Sequence, residues 1–118
     1  MRRRHLALLA AALVPAVAAA APRPAHPAAS AAGKPARERV VAIDGMKFVP
    51  ATLAVRPGDR VTWVNKDLVP HTVTARDGRF DSRTIAAGAS FTWTAAGSGH
   101  VEYACAYHPT MVATIGLP

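Results

Sequence analysis

The sequence contains a single cysteine, Cys105, among its 118 residues. One thiol excludes an internal disulfide framework and the zinc modules that need several cysteines. Aromatic residues are also few, and all of them lie between Phe48 and Tyr107. We therefore expect one small folded unit in the later part of the chain, with no room for a second sizeable core.

Acidic residues are also scarce, with 7 against 14 basic residues and a formal net charge of +7. This excess invites a nucleic-acid interpretation until its position is considered. Arg2, Arg3 and Arg4 stand at the N-terminus, and Arg23, Lys34 and Arg37 follow in a proline-rich stretch. Residues 38–118 hold eight basic and seven acidic side chains. We therefore expect no nucleic-acid partner.

The sequence also lacks an apolar run long enough to cross a membrane. The uncharged stretch Leu6–Ala21 is alanine-rich and interrupted by Pro15, whereas a spanning helix needs roughly 20 strongly apolar residues. A basic start and small residues up to Ala20 instead predict a signal peptide over residues 1–20, cleaved near Ala20. We expect a periplasmic or secreted protein without stable membrane insertion. A general secretory signal is favoured over a twin-arginine signal, which Arg3-Arg4 faintly resembles.

Two further segments follow the predicted signal. Residues 21–37 carry four prolines and no aromatic residue, a composition that favours a flexible tail. From residue 38 to 118 apolar residues alternate with polar ones, as in Val61-Thr62-Trp63 and Val101-Glu102-Tyr103, which predicts short β-strands separated by glycine-containing turns. We expect an all-β domain, an antiparallel sandwich or barrel, without a substantial helix.

The alternation also predicts where side chains point. If Val101 and Tyr103 face the core, Cys105 at the end of the same strand faces it too. By the same argument His71 shares the inner face with Val73, while Thr72 and Thr74 point outward. A histidine and a cysteine are therefore expected to meet near one end of the domain.

The densest chemical signal is the segment Cys105–Met111, with the spacing Cys-x2-His-x2-Met. Together with His71 it supplies two imidazoles, a thiolate and a thioether. A trigonal His2Cys set with a weak axial methionine is the ligand set of blue copper sites. Zinc is the alternative metal, but it prefers a fourth strong donor or water to a thioether.

On these residues the chain resembles the cupredoxins, and within them the amicyanin and plastocyanin-like group. Four segments carry the resemblance, which spans residues 40–118: Gly45–Pro50, Val61–Asn65, Pro70–Val73 and Cys105–Met111. It implies a Greek-key β-sandwich that binds one copper ion and shuttles single electrons, without enzymatic activity. By the family pattern His71, Cys105 and His108 are the strong ligands, and Met111 is the axial ligand.

One position departs from the family pattern. Many cupredoxins have asparagine directly after the first histidine, and this chain has Thr72. In the family that position helps to join the two ligand-bearing loops beside the cysteine sulfur. Thr72 still offers a hydroxyl and a backbone N–H, so we expect it to support the site.

The resemblance also implies how electrons enter and leave. In the family the second histidine, here His108, reaches the surface, and Pro70 and Pro109 would border a small docking patch around it. We expect a monomer that meets redox proteins, its electron donor and acceptor, only transiently. The alternative is a module for copper delivery or sequestration, because its ligands would be the same. His100 is expected to be exposed and not to bind metal, and Met46 either packs or lies at the rim of the site.

Overall fold

The computed structural model describes residues 10–19 and 35–118, and the chain divides into two units, Met1–Gly33 and Lys34–Pro118. Residues 10–19 are exposed and form neither helix nor strand. Most of the predicted signal peptide and tail, residues 1–9 and 20–34, lies outside the described residues, so that division of the chain remains a prediction. Within the described ranges, no helix has the length and apolar character needed to cross a membrane.

The second unit is built from eight strands and, over residues 35–118, contains no helix. The strands are β1 (Glu38–Ile43), β2 (Phe48–Val49), β3 (Thr52–Ala54), β4 (Arg60–Asn65), β5 (Thr74–Ala75), β6 (Ser90–Thr94), β7 (Gly99–Ala104) and β8 (Val112–Leu117). They form two four-stranded sheets, ordered β2-β1-β4-β6 and β3-β8-β7-β5. The predicted all-β sandwich is confirmed.

The expected antiparallel pairing holds for four of the six strand pairs, and both sheets are mixed. Strand β1 pairs with β4 in parallel, and β3 pairs with β8 in parallel, while the other pairs are antiparallel. The reason is the path of the chain after β1. It folds back as β2, passes to the other sheet as β3, and re-enters the first sheet as β4 in the direction of β1.

The core lies between the sheets and follows the predicted alternation. Trp63 of β4 and Tyr103 of β7 are the largest fully buried side chains, and their rings meet edge to face at 5.5 Å. Phe80 packs against both of them, at 5.3 and 5.9 Å. Val101 is buried in the same row of β7 as Tyr103. This row continues into Cys105, so the packing of the core determines where the sulfur lies.

The buried carboxylate of Asp59 holds the beginning of the domain together. It is only 1% exposed and accepts hydrogen bonds from the N–H groups of Arg37 and Arg56, both at 2.9 Å. These two bonds lower the pKa of Asp59 below the ordinary aspartate value, and the charge of the Arg37 guanidinium adds to the effect. Asp59 therefore joins the turn before β4 to the residue that precedes β1.

We predict that Asp59→Asn destabilises the domain by about 2 kcal/mol at neutral pH. The NH2 group that replaces one carboxylate oxygen cannot accept a hydrogen bond, so the N–H of either Arg37 or Arg56 loses its acceptor. The lowered pKa of Asp59 gives stability that is present above the unfolded-state pKa of about 3.9 and is lost as pH falls. The variant should therefore lose less of its stability between pH 7 and pH 3 than the wild type does. Urea unfolding across this range measures both effects.

Glu102→Gln is the matched control, because among residues 35–118 the contact of this exposed carboxylate is a long ion pair of 3.6 Å with Arg76. Its effect should stay within about 0.5 kcal/mol. Equal stability of Asp59→Asn and Glu102→Gln at pH 7 would contradict the role given to Asp59.

Candidate metal centre

The predicted metal ligands come from two loops at one end of the sandwich. His71 lies between β4 and β5, where its backbone exchanges two hydrogen bonds with Ile85, at 3.1 and 2.7 Å. Cys105 follows β7 directly, and His108 lies in the loop that leads to β8. That loop is closed by hydrogen bonds from the Cys105 N–H to the Met111 carbonyl, at 3.1 Å, and from the Met111 N–H to the His108 carbonyl, at 2.9 Å.

The structure brings one sulfur and two imidazoles together. The Sγ of Cys105 is 3.7 Å from Nδ1 of His71 and 3.7 Å from Nδ1 of His108, and the donor atoms of the three residues all lie within 4.8 Å of one another. One ion with metal–nitrogen and metal–sulfur bonds of about 2.0 and 2.3 Å would reach the sulfur and either Nδ1 atom at a separation of 3.7 Å. The donor set therefore fits a site for a single metal ion.

The three donors differ in exposure. The side chains of His71 and Cys105 are buried, whereas His108 is half-buried. The rings of the two histidines lie edge to face with 5.1 Å between their centroids. The cluster is thus closed on the core side, and His108 is the donor that reaches toward solvent.

The surroundings of Cys105 favour its thiolate form. Burial raises the pKa of the thiol, but the hydrogen bond from the Thr72 N–H, followed by the contact with the His108 ring, outweighs burial and lowers the pKa to about 6. The thiolate is the form of cysteine that binds metals. The site therefore presents the charged ligand near neutral pH.

Thr72 does not point outward, as the alternation predicted, but is buried. The segment before β5 is not a regular strand, so the period of two does not hold there. The Thr72 N–H donates to Cys105 Sγ at 3.3 Å, and its hydroxyl oxygen accepts from the Ala106 N–H at 2.7 Å. The hydroxyl also bonds to that of Thr74 at 3.0 Å. Thr72 thus joins the two loops at the sulfur.

Sequence reasoning missed Asn65 and Asp67. Asn65 is fully buried at the end of β4, and its amide donates to the carbonyls of Val69 and Ile85 at 2.9 and 3.0 Å. Its side-chain oxygen accepts from the Asp67 N–H at 3.0 Å. Asn65 therefore shapes the irregular loop that carries His71.

Asp67 contacts a predicted ligand directly. Its carboxylate accepts a hydrogen bond from Nε2 of His71 at 2.8 Å and further bonds from the N–H groups of Gly45 and Met46, at 2.8 and 3.0 Å. Burial raises the pKa of this carboxyl, but the three hydrogen bonds outweigh it and the pKa is lowered. The only signal in the sequence is an acidic residue four positions before a candidate ligand, which by itself does not distinguish a ligand's partner from an ordinary loop residue.

The remaining predicted residues are placed as follows. Met111 is buried and belongs to the same core cluster as Cys105. Pro70 and Pro109 are exposed, as is His100 in β7, in keeping with its predicted position. Met46 is 40% exposed in the turn whose N–H groups bind Asp67, so its side chain lies at the protein surface and not in the core.

Comparison with known proteins agrees with the geometry. Residues 36–117 match the family described as copper binding proteins, plastocyanin/azurin family. Amicyanin of Paracoccus versutus is 30% identical over 87 residues, which cover 70% of this chain and 66% of that protein. The chain thus spans just under two thirds of the length of this relative.

Solved structures show the same fold. A methionine-to-alanine variant of amicyanin in the Cu(I) form has a TM-score of 0.65 and 27% identity, over 69% of this chain and 82% of that one. A copper-containing nitrite reductase from Thermus scotoductus SA-01 has a TM-score of 0.64 and 23% identity, over 69% of this chain and only 22% of that one. The second likeness concerns the fold alone.

The convergence of a thiolate and two imidazoles and the family match over the whole sandwich point to the same cofactor. The chain belongs to the plastocyanin/azurin family of copper-binding proteins, the cupredoxins, and its cluster of His71, Cys105 and His108 is consistent with a single type 1 copper site.

Proposed function

We propose that this protein is an exported one-electron carrier in which His71, Cys105 and His108 hold copper and Met111 is the weak axial ligand. The convergence of the Cys105 sulfur with the two Nδ1 atoms, at 3.7 Å each, carries this proposal. Bound copper would supply a Cu(II)/Cu(I) couple, which can take up and release one electron. The amicyanin relative and the predicted signal peptide support the carrier role and export.

The residues around the site act by restraining it. His71 and Cys105 are buried, which excludes water from two of the donors. The closed Cys105–Met111 loop and the two hydrogen bonds at Thr72 keep the donors in one arrangement. A ligand set that combines thiolate, imidazole and thioether suits both oxidation states of copper. Little rearrangement is therefore needed when an electron arrives or leaves.

The half-buried His108 is the proposed route for the electron. Pro70 and Pro109 are exposed, and Leu68 is 95% exposed three residues before His71. We propose that these apolar residues form a docking patch for redox proteins that bind briefly to a monomeric carrier. The near balance of eight basic and seven acidic residues in residues 38–118 gives no reason to expect nucleic acid as a partner.

We predict that the copper-loaded protein has an intense visible band from thiolate-to-Cu(II) charge transfer and that Cys105→Ala abolishes it. The control is His100→Ala, because His100 is exposed on β7 and does not belong to the three-donor cluster. Absorption spectra of the two variants and the wild type, each with one equivalent of Cu(II), measure this. A colourless wild-type adduct, or colour that persists without Cys105, would refute the assignment.

A second prediction separates electron transfer from copper delivery. A carrier should keep its copper on reduction, whereas a delivery protein should release Cu(I) to a competing chelator.

The docking patch is tested by a substitution. Leu68→Asp should slow electron self-exchange about tenfold or more while leaving the visible spectrum unchanged, because two like charges then meet when two copies bring their docking patches together. Val40→Asp, at a position 60% exposed on β1, is the control.

Self-exchange is measured by NMR line broadening in mixtures of oxidised and reduced protein. Rapid loss of copper from the reduced wild type to the chelator would favour delivery or sequestration. Equal rates in the two aspartate variants would remove the docking patch from the proposal.

A third prediction concerns the hydrogen bonds by which Thr72 joins the two ligand-bearing loops. Thr72→Val keeps the N–H that points at the sulfur but removes the oxygen that accepts from Ala106, so a partly buried N–H loses its partner. We expect a loss of about 1–3 kcal/mol in unfolding free energy and a shifted visible band. Thr72→Ser restores the hydroxyl and should behave like the wild type. A valine variant as stable as the serine variant would show that the hydroxyl contributes nothing.

A further inference from the structure

We propose that Asp67 is a positioning residue of the copper site: its carboxylate fixes the ring and tautomer of His71 and strengthens this ligand for Cu(II). The inference rests on the proposed ligand role of His71. The two ring nitrogens of His71 face different partners, since Nδ1 lies 3.7 Å from the Cys105 sulfur and Nε2 lies 2.8 Å from Asp67 Oδ2. A carboxylate only accepts hydrogen bonds, so Nε2 carries the proton and Nδ1 keeps its lone pair for the metal.

Asp67 is itself held in place. Its Oδ1 accepts from the Gly45 N–H and its Oδ2 from the Met46 N–H, and its own N–H donates to Asn65. Gly45 and Met46 both have positive φ, 60° and 62°, which aims two successive N–H groups at one carboxylate. The side chain is 13% exposed. The N–H groups of Gly45 and Met46 therefore hold the carboxylate in the position from which it accepts the hydrogen bond of His71.

The turn does not depend on Asp67 for its closure. Asp44 and Lys47 already exchange backbone hydrogen bonds across it, at 2.9 and 3.2 Å. A role confined to the turn thus does not account for the 2.8 Å contact of the Asp67 carboxylate with His71. Carboxylate partners of metal-bound histidines orient the ring and raise its basicity as a ligand.

The negative charge has a predictable effect on the couple. A more basic imidazole and a nearby anion stabilise Cu(II) more than Cu(I). The reason is that the doubly charged ion interacts more strongly with the ligand and with the carboxylate than the singly charged ion does. Asp67→Asn should therefore weaken Cu(II) binding about tenfold and Cu(I) binding much less. A tenfold change in the ratio of the two affinities raises the midpoint potential by about 59 mV for one electron.

The experiment compares three variants by redox titration and by Cu(II) and Cu(I) competition. Asp67→Asn keeps the size of the side chain and removes the charge, and Asp67→Glu restores a carboxylate. Asp44→Asn removes an exposed carboxylate of the same turn without altering the hydrogen bond to His71. We expect a raised potential in Asp67→Asn, a potential nearer to that of the wild type in Asp67→Glu, and no more than a small shift in Asp44→Asn.

A readout without copper keeps the inference separate from the proposed function. Long-range nitrogen–proton NMR of the metal-free wild type should show His71 as the Nε2–H tautomer, and Asp67→Asn should populate the Nδ1–H form. A wild type that binds no copper, yet shows this tautomer and its loss in the variant, would overturn the proposed function and leave Asp67 as the residue that orients His71.

Two results would overturn the inference itself. One is an Asp67→Asn potential equal to that of Asp44→Asn, even if the variant is less stable, because a merely structural role lowers stability without shifting the couple. The other is a wild-type His71 that carries its proton on Nδ1. If Asp67→Asn does not fold, the wild-type tautomer decides, and the potential of Asp67→Glu against Asp44→Asn provides the second test.

Discussion

The hydrogen bond from the Thr72 N–H to the sulfur of Cys105 is the contact on which the site depends. It joins two loops whose residues lie 33 positions apart in the chain. The Ala106 N–H donates a hydrogen bond to the Thr72 hydroxyl, so each loop donates one hydrogen bond to the other. Because the sulfur is the charged donor, a restraint on its position also restrains the two imidazoles that face it. The same bond helps to keep the thiol deprotonated, which ties the geometry of the site to its chemistry.

The core supplies the second restraint. Val101, Tyr103 and Cys105 form one buried row along β7 and its end, and Tyr103 packs edge to face against Trp63 of the opposite sheet. A shift of the sulfur would therefore require a shift of close-packed aromatic rings. On the other side Asn65, buried at the end of β4, holds the loop of His71 through hydrogen bonds to two carbonyls. Each loop of the site thus begins at a buried strand end, and packing between the sheets holds those ends together.

Much of this arrangement follows from the sequence, and the failures share one cause. The strands and the side chains that face the core were predicted correctly, because the alternation of apolar and polar residues can be seen within each short segment. The proximity of His71 and Cys105 was also predicted. The parallel pairing of β1 with β4 was not predicted, because alternation does not say which strand lies beside which. The inward turn of Thr72 and the role of Asp67 were missed because residues 66–73 form an irregular loop, where contacts depend on distant partners such as Gly45.

The two histidines have different surroundings, and this difference accounts for how one site combines rigidity with access. His71 is buried, its Nε2 is hydrogen-bonded to Asp67, and its Nδ1 faces the Cys105 sulfur at 3.7 Å. His108 is half-buried, and within residues 35–118 the polar contact of its ring is that of Nδ1 with the sulfur, at 3.7 Å. A site of two buried histidines would be rigid but remote from a partner. A site of two exposed ones would admit water and lose its geometry. With one of each, the fixed ligand maintains the arrangement of donors, and the exposed ligand brings it within reach of the surface.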